Sequence, residues 1–484
     1  MCFIFAIQHI GRMSRFYLQY HLSKNQIERH FFGKCSKIYK SVIFPLAEFS
    51  QGTHILKTLE LLEDSQWRPP DEIRALQESR LRELIRHSYR NVPYYRSTFD
   101  RLGLKPADIN SVEDLQKLPV LTKDIIRRNF PDNMIASNIP KKKLALNHSG
   151  GSTGEPLPYY QDRQAISWRF ACLFRFWRWA GYQFGKRWVR LDLIAHDTPA
   201  QKMMDALGRC KFFRLSRMNQ DTLRLSVERI RKYKPELIRG YASQVFLLAK
   251  YLKDNGISDI HPVSIITTGD MLFPHYRQLI EEQFGCKVYD TYGGNSIVIS
   301  GQCEAGANHI AAENIILEFI KDDRPVKPGE LGTVLVTDLS NCGMPFIRFR
   351  IGDLARPLQE KCKCGRGLPL MSSVVGRDTD IVVTPDGNYL VAYFFGHIFE
   401  SMMSVDQFQV VQEAEDEIEV KIVKNNKFSN EDARYIEDAI RRGAGEKLKI
   451  RLNFVEDVPV PSSGKIRLVI SEIGRRHFAP AEQD

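Results

Sequence analysis

The chain has 484 residues, of which 43% are hydrophobic and 26% are charged, with 69 Lys and Arg residues against 58 Asp and Glu residues. A chain of this length buries a substantial core, predicts more than one domain and has the composition of an ordinary globular protein. The mild positive charge is compatible with anionic ligands or a membrane surface, but it is too small and too evenly spread to predict a nucleic-acid partner. Nine cysteines at irregular spacings do not resemble a secreted disulfide framework.

The amino terminus is apolar over a short stretch only. Residues 1–7 are followed by Gln8, His9 and Arg12, so the apolar segment is too short to span a membrane, and no clean cleavage site follows it. The sequence contains no run of 18 or more apolar residues. We therefore expect a cytoplasmic protein with no transmembrane segment.

The first part of the chain has helical patterns. Residues 1–70 are basic and aromatic without catalytic motifs, which predicts a helical extension. Residues 71–96 carry apolar side chains at helical spacing, and the sequence Asn91-Val92-Pro93 predicts the end of that helix. Residues 111–115 have the form of a capping box and predict the start of another helix.

A glycine-rich stretch follows, with the residues Ser149, Gly150, Gly151, Ser152, Thr153 and Gly154. Glycine lets the backbone approach a ligand closely, and hydroxyl groups together with backbone N–H groups can surround a phosphate. Taken alone, the stretch is equally typical of a hairpin loop. It is not the nucleotide loop that ends in Gly-Lys-Ser/Thr, because Lys is absent.

Four of the five tryptophans lie between Trp168 and Trp188, together with several arginines. Such a segment could form a membrane-facing or aromatic-substrate surface. We favour the alternative of a large core helix whose arginines reach solvent.

Residues 236–300 alternate between strand and helix patterns. Apolar strands are predicted to end at Gly240, at Gly269-Asp270 and at Thr291-Tyr292, with helices between them. This order predicts an α/β fold, in which ligands bind beyond the carboxyl ends of the strands. The last two strand ends therefore predict one shared site.

The remaining chain is β-rich and then mixed. Strands are predicted at 315–320 and 332–337, with a turn at 328–330 between them. After Gly376 a new set of strands, a helix near 430–442 and a last strand at 450–455 predict a small α+β domain. The predicted fold class is thus α/β, with a large domain of sheets and flanking helices at 1–375 and a small domain at 376–484.

Four residues have the character of metal ligands: Cys303, His309, Cys362 and Cys364. Three sulfur atoms and one imidazole make the closed ligand set of structural zinc. Because 53 residues separate His309 from Cys362 (362 minus 309), the fold must bring the two parts together, and the β-rich segment between them could do so as a meander. The alternative is a set of unrelated reduced cysteines, and we favour Zn²⁺.

Several motifs occur in a fixed order, namely residues 149–156, 292–296, 348–353, 375–377 and 463–467. This order resembles the adenylate-forming superfamily of acyl-CoA ligases. The segments 91–96, 118–123 and 362–366 look like the phenylacetate-CoA ligase branch, and more narrowly like its relatives found with polysaccharide and capsule biosynthesis. The resemblance extends from about residue 70 to the end. It also implies a zinc ion at the four candidate ligands and a mobile carboxyl-terminal domain.

The resemblance implies the chemistry and the roles of individual residues. ATP, with Mg²⁺, adenylates a small-molecule carboxylic acid, and a thiol such as that of CoA then takes the acyl group. The loop Ser149–Gly154 would hold the β- and γ-phosphates, Asp353 would accept both ribose hydroxyls, and Arg377 would approach the nucleotide. Lys465 would be the catalytic residue, at the α-phosphate and the substrate carboxylate. The residues implied to line the adenine are Gly269, Asp270, Asp290, Thr291 and Tyr292.

This sequence departs from the family pattern at three positions. Glu155 stands where many relatives have Lys, Ser296 stands where relatives carry a Glu that holds Mg²⁺, and Thr379 occupies a position that is usually acidic. Asn295 or a water molecule is the alternative partner for Mg²⁺.

We therefore consider an acyl-CoA ligase first. The alternatives are a degenerate adenylation fold kept as a binding or scaffold protein, and an adenylating ligase that transfers the acyl group to an amine or a sugar. A homodimer is a further expectation.

Overall fold

The computed structural model describes residues 39–148, 157–192, 202, 205–206, 208–214, 220–294, 296–377, 381–386, 389–399, 402, 404–459 and 467–474. The helices of these ranges are Phe44–Gln51, Ile55–Ser65, Pro70–Asn91, Pro93–Arg101, Lys123–Asn129, Arg163–Trp179, Gln220–Tyr233, Ala242–Asp254, Pro274–Phe284, Ala392–Phe399 and Asn430–Ala444. Shorter π- and 3₁₀-turns lie at Tyr39–Ile43, Pro106–Asp108, Glu113–Lys117 and Lys141–Lys143.

The helix predicted at 71–96 is interrupted at one residue. Val92 is extended, with φ −113° and ψ 113°, and separates Pro70–Asn91 from Pro93–Arg101. The residue before a proline avoids the helical conformation, whereas proline itself fits the first turn of the helix that follows. The predicted end is therefore confirmed, but a second helix begins at once.

A nine-stranded sheet forms the centre of the larger part. Its strands are β3 (Trp188–Asp192), β4 (Cys210–Arg214), β5 (Leu237–Tyr241), β6 (Ser264–Thr268), β7 (Val288–Gly294), β8 (Ile297–Gln302), β9 (Asn308–Ile310), β14 (Pro357–Leu358) and β15 (Leu370–Met371). Their order is β14-β15-β9-β8-β7-β6-β5-β3-β4, and β4, β3, β5, β6 and β7 are parallel. The alternation predicted from 236 to 300 is confirmed.

Helices cover both faces of the parallel strands. Val189, Leu191, Ile238 and Ile265 pack in one core with the helices Gln220–Tyr233, Ala242–Asp254 and Pro274–Phe284. Side chains alternate between the two faces of a strand, so the intervening residues point the opposite way. There Trp188, Leu237 and Ile266 pack with Trp177 of the helix Arg163–Trp179.

The tryptophan-rich segment forms this helix and then the strand β3. The position of one arginine of the helix differs from our prediction. We predicted a core helix whose arginines reach solvent, but the Arg175 side chain is 0% exposed. It pairs with Glu313, whose side chain is also 0% exposed. Arg175 can therefore lie in the core because it is paired with the carboxylate of Glu313, a residue distant in the sequence.

A second, five-stranded sheet contains the strands predicted at 315–320 and 332–337. It has the order β11-β10-β12-β13-β16, with β10 (Ile315–Lys321), β11 (Arg324–Pro325), β12 (Gly332–Asp338), β13 (Phe349–Ala355) and β16 (Gly376–Arg377). A two-stranded sheet pairs β1 (Ala145–His148) with β2 (Pro158–Gln161), on either side of the glycine-rich stretch. These observations, together with the solved structures described below, confirm the predicted fold class.

The carboxyl-terminal part has its own core. A hairpin of β17 (Ile381–Val383) and β18 (Tyr389–Val391) precedes a four-stranded sheet of order β21-β20-β19-β22. The strands of this sheet are β19 (Val405–Ala414), β20 (Glu417–Lys424), β21 (Lys449–Phe454) and β22 (Val469–Ser471). We predicted that the strand at 450–455 would be the last of the chain. This prediction is wrong, because β22 follows it and pairs with β19 in parallel.

Among the described residues, no helix is long and apolar enough to cross a membrane. The division at residues 375 and 376, the cytoplasmic location and the homodimer stay predictions.

Candidate active site

The carboxyl ends of three parallel strands meet at one edge of the nine-stranded sheet. Tyr241 at the end of β5 is the register partner of Thr268 at the end of β6, and Thr268 is the partner of Thr291 in β7. Gly269 and Asp270 follow Thr268 directly. The structure therefore brings together the two strand ends that the sequence assigned to one site.

A carboxylate from the second sheet reaches the same edge. Asp353 lies in β13 and is only 8% exposed. Its Oδ2 accepts a hydrogen bond of 2.7 Å from the hydroxyl of Tyr292. This bond joins the two sheets and holds the carboxylate in one orientation. Arg377 lies opposite Asp353 in the ladder of β13 and β16.

Asp290 lies half-buried in β7, next to Thr291. The Thr267 hydroxyl donates a hydrogen bond of 2.6 Å to its Oδ1. Burial raises the pKa of Asp290 to about 6, against the opposing effect of the Thr267 hydroxyl. Its side chain is thus directed toward β6 and supports the strand ends.

Gly269 occupies a position that other residues fit poorly. Its φ is +85°, and an added Cβ would lie 2.4 Å from a ring carbon of Tyr241. The Tyr241 ring therefore covers the backbone of Gly269. Burial raises the pKa of the Tyr241 hydroxyl to about 12, so it stays protonated and can donate at neutral pH.

Asp270 is engaged with the helix that follows β5. Its carboxylate accepts hydrogen bonds from the backbone N–H groups of Ala242, at 2.5 Å, and Ser243, at 3.2 Å, and from the Ser243 hydroxyl. A carboxylate at the first turn of a helix satisfies N–H groups and complements the helix dipole. Asp270 thereby fixes the loop after β6 to the helix Ala242–Asp254.

Several predicted residues lie outside the described part of the chain. They are Ser149, Gly150, Gly151, Ser152, Thr153, Gly154, Glu155, Asn295, Thr379 and Lys465. The backbone of Arg377 is described, but its side chain is not. The roles implied for these residues stay predictions.

Ser296, the residue at the position of the magnesium-binding Glu of relatives, has a defined partner. Its hydroxyl lies 2.6 Å from the hydroxyl of Tyr159 in β2. Ser296 has a φ of +59°. The contact joins the strand after the glycine-rich stretch to the turn between β7 and β8.

The four candidate metal ligands lie together. One ligand atom from each of Cys303, His309, Cys362 and Cys364 lies within 4.8 Å of all the others. The Sγ atoms of Cys303 and Cys362 are 3.6 Å apart, and Sγ of Cys364 lies 3.2 Å from Nε2 of His309. Sulfur atoms about 2.3 Å from a tetrahedral zinc ion would be roughly 3.8 Å apart, whereas a disulfide requires about 2.05 Å. This spacing fits a metal ion.

A short ladder between β9 and β15 brings His309 close to Cys362 and Cys364, although these residues are far apart in the sequence. His309 in β9 is the register partner of Leu370 in β15, which follows the loop that holds Cys362 and Cys364. The strands β10 to β13 between them belong to the other sheet, so the meander that we expected leaves the first sheet and returns to it. Leu368 O lies 3.3 Å from Nδ1 of His309, a contact that directs Nε2 toward the cysteines.

Sequence reasoning missed residues that the tertiary structure places at the site. These residues were not singled out from the sequence: Tyr159, Arg169, Arg190, Arg239 and Tyr241. The only signal was an arginine inside an otherwise apolar strand, as in Leu237-Ile238-Arg239-Gly240.

Comparisons with known proteins agree with this architecture. The family described as the CapK C-terminal domain matches residues 382–472. Phenylacetate-coenzyme A ligase of Thermus thermophilus is 25% identical over 444 residues, covering 83% of this chain and 97% of that protein. Protein CapK of Staphylococcus aureus is 23% identical over 430 residues, covering 83% and 90%.

A solved structure has the same fold over most of the chain. The 2-hydroxyisobutyryl-CoA ligase in complex with R3-HIB-AMP superposes with a TM-score of 0.70 at 18% identity, covering 85% of this chain and 92% of that one. The similarity to these relatives over most of their length, and the shared fold, agree with the order of the motifs in the sequence. Over most of its length this chain is thus similar to phenylacetate-coenzyme A ligases and to CapK, and it shares the fold of 2-hydroxyisobutyryl-CoA ligase.

Proposed function

We propose that this protein adenylates a carboxylic acid with ATP and transfers the acyl group to CoA. The observation that carries the proposal is the buried carboxylate of Asp353, held by Tyr292 at the shared strand ends. A fixed carboxylate can accept hydrogen bonds from both ribose hydroxyls. Similarity to phenylacetate-coenzyme A ligases supports the same reaction class. Similarity to CapK supports a place in polysaccharide or capsule biosynthesis.

Two steps account for the chemistry. An oxygen of the acid attacks the α-phosphorus of ATP, and the bond from that phosphorus to pyrophosphate breaks. The sulfur of CoA, after losing its proton to solvent, then attacks the acyl carbon, and AMP leaves. In the first step Lys465 offsets the negative charge that develops around the α-phosphate.

The other predicted residues bind the nucleotide in this proposal. The loop Ser149–Gly154 donates to the β- and γ-phosphates, and Arg377 approaches from the start of the small domain. The strand ends with Gly269, Asp290 and Thr291 line the adenine, and Asp270 keeps the loop after β6 in place through Ser243.

The Mg²⁺ that accompanies ATP would find a neutral oxygen at Ser296. The Ser296 hydroxyl is bonded to Tyr159 and offers no charge. Mg²⁺ binds phosphate oxygens and retains waters readily, so the ion would depend mainly on the ATP phosphates.

The test of the function is pyrophosphate release with ATP and a panel of carboxylic acids, with and without CoA. We expect release with some acids and a thioester only when CoA is present. Release that continues without CoA but with an amine or a sugar as acceptor would favour the other kind of ligase. No release with any acid would favour the scaffold protein.

We propose further that Cys303, His309, Cys362 and Cys364 bind one structural Zn²⁺. The ion would join the loop after β8 to the loop before β15, at the edge of the nine-stranded sheet. The close spacing of four soft or borderline ligands supports this assignment.

Replacing Cys364 by Ser is expected to lower both the zinc content and the melting temperature, because structural zinc contributes directly to folding. Elemental analysis should find about one zinc per wild-type chain, the number that a single closed site holds. Cys286→Ser, outside the cluster, is the control and should keep the metal. Folded wild-type protein without zinc would contradict the site.

Replacing Asp353 by Ala is expected to weaken ATP binding. The ribose hydroxyls lose a charged acceptor, and hydrogen bonds to charged groups contribute roughly 1.5–3 kcal/mol. Calorimetry with ATP measures the change. Tyr292→Phe keeps the carboxylate but removes the hydroxyl that orients it, so its loss should be smaller. Unchanged affinity in Asp353→Ala would rule out the role of this carboxylate.

A further inference from the structure

Three arginine side chains lie between the helix Arg163–Trp179 and the nine-stranded sheet. Arg190 in β3 and Arg239 in β5 are direct register partners on adjacent parallel strands. In these strands they alternate with Val189, Leu191 and Ile238, which pack against the helices on one face of the sheet. The two arginines therefore lie on the opposite face, which the helix Arg163–Trp179 covers. Arg169 belongs to that helix. Like charges on neighbouring strands destabilise a sheet, so this arrangement calls for a function.

One of these three cations, Arg190, forms an ion pair with Asp192. Asp192 accepts two hydrogen bonds from Arg190, at 2.5 and 2.8 Å. Arg169 donates to the neutral amide oxygen of Gln161 at 3.1 Å. Among the residues that the structure describes, Nε of Arg239 is buried and has no hydrogen-bond partner. The carboxylate of Asp270, at the neighbouring strand end, accepts hydrogen bonds from Ala242 and Ser243.

The charges are partly removed from water. Burial, and then the neighbouring charge of Arg190, lowers the pKa of Arg239 to about 10. Burial also lowers the pKa of Arg169, with a further contribution from Arg190. Arg239 therefore remains protonated at neutral pH, and removing a charge without a bonded anion from water costs free energy. An anion bound from solution would remove that cost.

The cluster adjoins the proposed active site but does not coincide with it. Arg239 lies two residues before Tyr241, whose ring covers Gly269 at the strand ends. Strands in a sheet are about 4.8 Å apart, so β5 lies roughly 10 Å and β3 roughly 14 Å from β7, which carries Tyr292. The arginines thus come from strands other than the one that carries Tyr292.

We propose that the acid adenylated by this protein carries a second anionic group, a carboxylate or a phosphate, which binds Arg239 and Arg190 between the helix and the sheet. This inference rests on the proposed function and names its substrate class. The far end of the acid lies between the helix and the sheet, and the reacting end lies at the strand ends. Arginine suits this task because its planar guanidinium binds carboxylate and phosphate groups through two hydrogen bonds.

Matched pairs of acids test the inference in the pyrophosphate-release assay. The pairs are hexanoate and adipate, phenylacetate and para-carboxyphenylacetate, and glycerate and phosphoglycerate. We expect kcat/KM to be higher for the acid with the second anion by about tenfold or more, because a site built for a polar group rejects the analogue that lacks it. The last pair separates a phosphate from a carboxylate as the second group. Equal kcat/KM within every pair, or a preference for the acids with one anion, would overturn the inference.

Arg239→Met identifies the residue responsible. This variant should reduce the preference within the pairs to near unity, whereas Arg224→Met, on the exposed face of the helix Gln220–Tyr233, should leave it as in wild type. The melting temperature of Arg239→Met should equal or exceed that of wild type, because the substitution removes one of the two adjacent positive charges of Arg190 and Arg239. A lower melting temperature, or an equal loss of kcat/KM within each pair, would make Arg239 a structural residue and overturn the inference.

Failure of the proposed function can be told apart from failure of this inference. If no acid releases pyrophosphate, the adenylation proposal fails, and calorimetric titration of adipate and phosphoglycerate then decides. Binding of either to wild type but not to Arg239→Met would support an anion site at the cluster. Equal binding, or no binding, to both proteins would overturn it.

Discussion

Replacing Lys465 by Ala is expected to slow pyrophosphate release by about 10²-fold or more, because a positioned cation stabilises the charge that develops at the α-phosphate. The small domain of this superfamily is thought to rotate after adenylation, so that this lysine serves the first step only. Ser462, Ser463 and Gly464 before it are residues that favour a loop. Thioester formation from a finished acyl-adenylate should therefore depend on Lys465 much less.

The two half-reactions can be measured separately. Pyrophosphate release with ATP and acid follows the first, and thioester formation from a synthetic acyl-adenylate and CoA follows the second. Lys449→Ala removes an exposed lysine of the same domain, one that pairs with Asp416, and should leave both rates unchanged. An equal fall in both rates for Lys465→Ala would make the lysine structural or would rule out the rotation.

Replacing Arg175 by Met is expected to lower the free energy of unfolding by about 3–5 kcal/mol, because it leaves the buried carboxylate of Glu313 without its partner. The pair is bidentate, with Nη1–Oε1 at 2.5 Å and Nη2–Oε2 at 3.1 Å. Glu313 also accepts a hydrogen bond of 2.7 Å from Ser65, and Arg175 donates to Leu62 O at 3.2 Å. The pair thus joins the helices Ile55–Ser65 and Arg163–Trp179 to the chain after β9.

A double-mutant cycle isolates this interaction. Denaturant unfolding of Arg175→Met, Glu313→Gln and the double variant should show that the double variant loses much less than the sum of the two single losses. Arg224→Met, which breaks the exposed pair with Glu228, is the control and should change stability by less than about 1 kcal/mol. Additive losses would mean that the two charges contribute independently.

Local patterns in the sequence were enough to predict the class of the fold and the kinds of residue at the site. Strand and helix patterns between 236 and 300 depend on local periodicity, so the α/β arrangement and the meeting of Gly269-Asp270 with Thr291-Tyr292 were predictable. The four metal-ligand candidates were predictable as a set from residue type. The order of the motifs indicated the superfamily, which the comparisons support.

The contacts between side chains that are distant in the sequence were not predictable from local patterns. Arg190 and Arg239 are 49 residues apart (239 minus 190), and they become neighbours because β3 and β5 pair in one particular register. Arg175 could be buried only because Glu313, 138 residues away, lies opposite it. In the same way, Tyr292 and Asp353 come from different sheets. Local periodicity indicates which side of an element is apolar, but strand order, register and the packing of layers decide which polar groups compensate one another.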